Sequence, residues 1–166
     1  MTTARAQQIS LADTPYYHIM SRCVRRSYLC GTDKLTGQCY EHRRQWIEDR
    51  IRLLSTVFAI EICSYAVMSN HYHIVVKIDA VSSESWSFDE VIQRWLCIHK
   101  GPFLIQKYQK GDPIGVAEMS VLTRIVDDWR VRLASVSEFM QQLNQVIARQ
   151  ANIEENCTGR FWEGRF

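Results

Sequence analysis

Two histidines one residue apart, His71 and His73, are the residues whose types and spacing best fit a chemical role. The run from 71 to 78 is rich in β-branched residues and is predicted to be a strand. Alternate side chains of a strand lie on one face, so the two imidazoles point the same way and Tyr72 points the other way. Two such imidazoles can provide half of a metal site, although a lone His-x-His is more often incidental.

The histidine strand is predicted to be the second strand of a hairpin. A strand-like run covers 60–68, and the polar pair Ser69-Asn70 suits a tight connection between the two runs. An aromatic run over 16–24 predicts a further strand, and apolar residues at spacings of three and four predict a helix over 38–59. This order predicts an α+β fold with an antiparallel sheet and helices on one face, of the ferredoxin-like or RRM-like kind.

The remainder of the chain is predicted to be mainly helical, after a polar loop over 79–87. The helices are expected over 88–109, 116–134 and 136–151, with Gly111-Asp112-Pro113 separating the first two. Neither an internal repeat nor a linker is visible in the sequence. The chain 1–166 is therefore predicted to be one domain.

Three blocks of the sequence resemble the single-tyrosine HUH transposases, the enzymes of the smallest bacterial insertion sequences and of their relatives linked to repetitive palindromes. In the HUH signature two histidines flank a bulky hydrophobic residue after a Met-x-Asn-His step, and 65–76 matches it closely. The run 17–22 resembles the family's first strand, and 159–166 resembles its Trp-Gln-Gly-Arg-Phe block. The resemblance covers most of the chain except 80–134, which is interpreted as a helical insertion.

The resemblance implies a DNA transposition chemistry. In the family a tyrosine cuts and rejoins single-stranded DNA through a phosphotyrosine, and manganese or magnesium polarises the scissile phosphate. Carried over to this chain, His71 and His73 are the histidine ligands. The nucleophilic tyrosine and a third, amide ligand are expected beyond Phe166, so this chain is predicted to lack the nucleophile. With two imidazoles alone, the divalent cation is expected to bind weakly, and manganese better than magnesium.

Three other residues near the motif have open roles. Tyr108 is followed four residues later by Asp112 rather than by an amide, and an ordinary helix aromatic is the preferred interpretation. Glu61 could supply a further ligand only if its register places it on the histidine face. His18 either approaches the metal site or is a hydrogen-bonded sheet histidine, and the second is preferred.

A set of arginines is predicted to contact DNA phosphates. The set comprises Arg22, Arg25, Arg26, Arg43, Arg44, Arg160 and Arg165. For the arginines of the predicted helix the alternative is a solvated face, because acidic residues are interleaved with them. Trp162 either stacks on bases or packs on the core, and packing is preferred.

The amino-acid composition says less about the class of protein than the His71-Tyr72-His73 motif does. A net charge of +2 is too small to indicate nucleic acid by itself. The six cysteines include no Cys-x-x-Cys pair, which argues against a zinc ribbon. The polar start and the lack of a long apolar run predict a cytoplasmic protein without a membrane partner.

Three functions remain open at this point. The first is a transposase-like protein that binds single-stranded or hairpin DNA, as a monomer or as a homodimer. The second is a catalytically inactive relative that keeps DNA binding or regulation. The third is an RRM-like RNA-binding protein with an accidental His-x-His, which is disfavoured because the aromatic-rich RNP pattern is lacking.

Overall fold

The computed structural model describes residues 9–24 and 28–164, which form an α+β fold as predicted. One strand and one helix are followed by a hairpin and then by helices. The elements are β1 (Tyr16–Arg22), α1 (His42–Val57), β2 (Ile60–Val67), β3 (His71–Ile78), α2 (Ala80–Ser85), α3 (Phe88–Leu96), α4 (Phe103–Gln109), α5 (Val116–Leu133) and α6 (Val136–Glu154). Within these residues no helix has both the length and the apolar character that a bilayer crossing requires.

The sheet is antiparallel, and β3 is its central strand in the order β1-β3-β2. His71 lies opposite Arg22 of β1, and His73 lies between Met20 of β1 and Ala66 of β2. The three strands and α1 correspond to the first, β-α-β-β part of a ferredoxin-like arrangement. Beyond the end of β1, Trp162 forms an antiparallel bridge with Cys23, so the C-terminal segment extends the sheet.

The two faces of the central strand differ in exposure. Tyr72, Ile74 and Val76 are completely buried, whereas the alternate residues of β3 are half-exposed. The buried face packs against apolar side chains of α1 and α6, such as Leu54 and Phe139. Each fully buried side chain of this size contributes roughly 1.5–3 kcal/mol of transfer free energy. The helices therefore occupy one face, and the histidine face stays open to solvent.

A β-bulge interrupts β2 at Cys63. Ile62 pairs with Val76, but the next pair is Ser64 with Val75, so Cys63 is an extra residue. Directly opposed residues share a face, and the bulge therefore changes which side chains of β2 lie beside the histidines.

Two of the sequence-based element predictions were wrong. The segment 79–87 is not a loop, because Asp79 caps a short helix by accepting a hydrogen bond from the Ser82 amide at 3.1 Å. The expected helix over 88–109 is divided into α3 and α4 by Gly101-Pro102, since proline disfavours helical backbone at the residue before it. The segment 80–134 thus contains four helices, α2 to α5.

Candidate metal and nucleic-acid site

His71 and His73 lie on the same, open face of β3, as the strand periodicity predicts. Their ring centroids are 4.9 Å apart and their planes are inclined by 82°. Each imidazole is half-exposed. The pair is therefore accessible from solvent and is close enough for both rings to contact one small ligand.

Asn70 determines which nitrogen of His71 is available. The Asn70 amide oxygen lies 2.5 Å from His71 Nδ1. That oxygen can only accept, so Nδ1 carries a proton and a neutral His71 keeps its lone pair on Nε2. A histidine that ligates a metal usually donates its other N–H in this way. The Asn-His step of the sequence motif thus has a local physical role.

His18 contacts the corresponding nitrogen of His73, its Nδ1. His18 Nε2 lies 2.8 Å from His73 Nδ1, and the two rings stack with their centroids 4.9 Å apart. One of the two nitrogens must donate, and donation from His73 Nδ1 leaves its Nε2 available. Desolvation of the ring is the main cause that lowers the pKa of His73, and the neighbouring His18 and His71 lower it further. The lowered pKa favours the neutral form of His73. His18 is thus hydrogen-bonded, as preferred, and also adjoins the site.

Hydrogen bonds to the carbonyl groups of residues 68–70 hold the turn that precedes His71. The Ser69 carbonyl accepts from the amides of Leu29 and Cys30, and the Asn70 carbonyl accepts from the Cys23 amide. The Cys30 thiol donates to the Met68 carbonyl at 3.1 Å. These bonds fix the point at which β3 begins and hence the position of His71.

Arg44 also stabilises the turn that precedes His71. Its guanidinium donates to the Val67 carbonyl and, at 2.6 Å, to Glu41. The Arg44 guanidinium is thus bonded within the turn while its side chain is 38% exposed, and its contact with DNA stays a prediction.

The back of the strand is anchored through Tyr72. Its hydroxyl donates to the Asn144 side chain of α6 at 2.5 Å, and the Asn144 amide donates to the Ser21 hydroxyl at 3.0 Å. Trp162 packs edge-on against the Tyr72 ring and donates to the Asn144 carbonyl at 2.8 Å. Burial raises the pKa of Tyr72 well above its ordinary value. Trp162 is thus a core residue, as preferred, and Asn144 is a structural residue that no pattern in the sequence predicted.

Arg43 is the clearest correction to the predicted DNA contacts. Its side chain is completely buried, with Nε 2.7 Å from Glu154 and a terminal nitrogen 2.6 Å from Glu155. Its guanidinium also lies 4.0 Å from the centre of the Tyr40 ring. A buried side chain held by two carboxylates cannot reach a phosphate, so Arg43 joins α1 to the end of α6.

The remaining predicted arginines divide into two groups. Arg22 lies on the histidine face beside His71, is about half exposed and is 3.9 Å from Glu163, and Arg160 is exposed. Arg25, Arg26 and Arg165 lie outside the described residues. Arg22 is therefore the predicted phosphate contact that the fold brings beside the histidines.

Two further candidates lie away from the histidines. Glu61 shares the histidine face but pairs with Lys77, four residues beyond His73, and forms a 3.0 Å ion pair with it. Four residues of strand span about 13 Å, so Glu61 cannot share a cation with His73. The Tyr108 hydroxyl donates to Asp89 at 2.9 Å, within the helical segment, which fits its interpretation as an ordinary helix aromatic.

The described residues contain no group of three or more histidine, cysteine, aspartate or glutamate side chains arranged to hold a metal ion. With His73 donating from Nδ1 to His18, the arrangement instead offers two imidazole Nε2 atoms on an open face. Nitrogen ligands of this type suit manganese better than magnesium. Such a half-site would leave most positions of an octahedral cation to water or to a ligand oxygen.

Comparison of the chain with protein-family models, with curated proteins and with solved structures finds no match in any of the three.

Proposed function

We propose that this protein binds single-stranded DNA across the open face of its sheet, with a divalent cation at His71 and His73. The observation that carries the proposal is the placement of both imidazoles on the uncovered face of the central strand, beside Arg22. It is supported by the resemblance of three sequence blocks to the single-tyrosine HUH transposases. The function is therefore that of a transposase-like DNA-binding protein.

The cation would be held by the Nε2 atoms of His71 and His73. When bound, it supplies a positive charge that neutralises a phosphate and polarises its oxygens. Asn70 and His18 orient the two rings by occupying the Nδ1 atoms. Two protein ligands are few, so binding is weak in the absence of DNA and is strengthened when a phosphate oxygen completes the coordination.

The nucleic-acid strand would run along β1. Tyr16, His18, Met20 and Arg22 alternate on the open face, and all four are exposed. Their spacing is about 6.8 Å, twice the rise of an antiparallel strand, and comparable to the repeat of an extended single strand. An aromatic ring can stack on an unpaired base, and Arg22 can pair with a phosphate. A duplex would not offer its base faces to this row, so single-stranded DNA is favoured.

We propose binding without cleavage for the residues that the structure describes. Tyr72 lies between the histidines but points to the other face, where its hydroxyl is bonded to Asn144. Tyr16 shares the histidine face but lies four residues from Met20, the partner of His73, which is about 13 Å. Neither hydroxyl can therefore attack a phosphate held at His71 and His73.

The binding proposal is tested by fluorescence anisotropy with labelled single-stranded, hairpin and duplex oligonucleotides, with and without manganese. We expect single strands to bind more tightly than duplex, and manganese to strengthen binding in the native chain but not in His71→Ala with His73→Ala. Glu61→Gln is the matched control, because Glu61 lies on the same face away from the histidines. Equal manganese dependence in the double variant would disprove the cation site.

Two further measurements separate the other candidate functions. Incubation with single-stranded DNA and manganese should give no covalent protein–DNA band on a denaturing gel, and a band lost in Tyr16→Phe or Tyr108→Phe would identify a nucleophile. A marked preference for RNA of the same sequence, unaffected by manganese, would favour the RRM-like alternative.

A further inference from the structure

The solvent-facing side of α5 has a sequence that is complementary to itself when reversed. Helix α5 buries Leu122, Val126 and Trp129 on its inner side. At 100° per residue, Val121, Arg124, Asp128 and Val131 fall within about 80° of one another on the outer side. All four are exposed, with Val121 at 39% and Val131 at 72%.

These four residues have the same spacing when the helix is reversed, and the reversed row of side chains is complementary to the original one. The intervals along the chain are three, four and three residues, and the types run apolar, cationic, anionic, apolar. If two copies of the helix lie antiparallel, Val121 of each copy meets Val131 of the other, and Arg124 of each copy meets Asp128 of the other. A parallel pairing would instead place like charges together. The pattern therefore selects one orientation, as a two-fold symmetric interface requires.

The surface between these side chains is also shaped to receive a neighbour. A shallow, largely apolar hollow of about 370 Å³ lies on this face, and it is lined by Val121, Arg124, Ile125, Asp128 and Trp129. Ile125 lies next to the point at which a two-fold axis would cross the helix. Within its own chain Asp128 has an exposed contact of 3.7 Å with Arg132, and such a surface pair contributes little.

We propose that this face binds a second copy of the chain through antiparallel pairing of α5 with α5. This inference is independent of the proposed DNA binding, since it concerns the helical segment rather than the open face of the sheet. One pair of helices 18 residues long buries a small area, so the dimer is weak and forms at high protein concentration.

The test measures the molar mass of the protein as a function of its concentration by analytical ultracentrifugation. Two charge-reversal variants examine the role of the charge pattern. Arg124→Asp gives a chain with carboxylates at both positions, and Asp128→Arg gives a chain with guanidinium groups at both. We expect each variant alone to have a dimer dissociation constant raised at least about tenfold. Their equimolar mixture should form a heterodimer, because each charge then meets its opposite.

Two controls complete the experiment. Ile153→Asp changes an exposed apolar residue on α6 and should leave the native dimerisation unchanged. Circular dichroism should show that every variant is folded, which is expected because both charged positions are exposed. A native chain that stays monomeric at the highest soluble concentration overturns the proposal. So does dimerisation that survives both single reversals, or a mixture that gains nothing over its components.

Discussion

Replacing Arg43 by methionine tests whether this arginine is structural. The change removes a completely buried cation and leaves Glu154 and Glu155 facing each other across the former ion pair. Breaking a buried pair by removing one partner costs about 3–5 kcal/mol. The two carboxylates keep 26% and 22% of their side-chain surface exposed and remain partly hydrated, so we expect the lower end of the range.

About 3 kcal/mol corresponds to a fall in Tm of roughly 6–12 °C for a chain of this size. Thermal and urea unfolding, followed by circular dichroism, measure the loss. Arg52→Met is the matched control, since Arg52 is exposed on the same helix and should change stability by no more than about 0.5 kcal/mol. Adding Glu154→Gln and Glu155→Gln to Arg43→Met should recover part of the stability, because the unpaired charges are then removed.

DNA binding supplies the decisive comparison for this variant. At a temperature where Arg43→Met is folded, its affinity for single-stranded DNA should equal that of the native chain, whereas Arg22→Met should bind more weakly. An unchanged Tm together with a loss of DNA affinity in Arg43→Met would refute the buried ion pair. Arg43 would then be a phosphate contact, as its sequence context first indicated.

Three further outcomes follow from the site. Asn70→Leu should weaken manganese binding about 10–100-fold in calorimetry, with Ser69→Ala as control, because the ring of His71 loses its orienting bond. Manganese affinity should fall as the pH is lowered, because protons displace the metal from the imidazoles, and the lowered pKa of His73 moves its part of that fall to a lower pH than an ordinary histidine would show; an affinity that does not depend on pH would contradict this. Tyr72→Phe should lower the free energy of unfolding in urea by about 1–3 kcal/mol, because the partly buried Asn144 oxygen loses its donor; an unchanged stability would show that this bond contributes nothing.

Structural features that depend on local periodicity could be predicted from the sequence. The alternation of β3 predicted the common face of His71 and His73, and helical spacing predicted α5 to within one residue. The hairpin was found because its polar connection, Ser69-Asn70, separates two strand-like runs. Each of these predictions uses residues that are close together in the chain.

Features that depend on distant partners were not predictable in this way. Arg43 has the sequence surroundings of a solvated helix residue, and its carboxylate partners follow 111 and 112 residues later. Tyr72 fits the pattern as a bulky hydrophobic residue, but its hydroxyl partner, Asn144, lies 72 residues away on α6. In both cases the fold supplies the contact that decides the role.

The bulge at Cys63 determines how much room there is above the second histidine. Counting forward along β2 from Ile62 without the extra residue would place the phenol ring of Tyr65 directly beside His73. With the bulge, Ala66 takes that position and Tyr65 turns to the helix side of the sheet. A single additional residue thus replaces a large neighbour of the imidazole by a methyl group. Gains and losses of one residue in this strand would therefore open or close the histidine face while the histidines themselves stay unchanged.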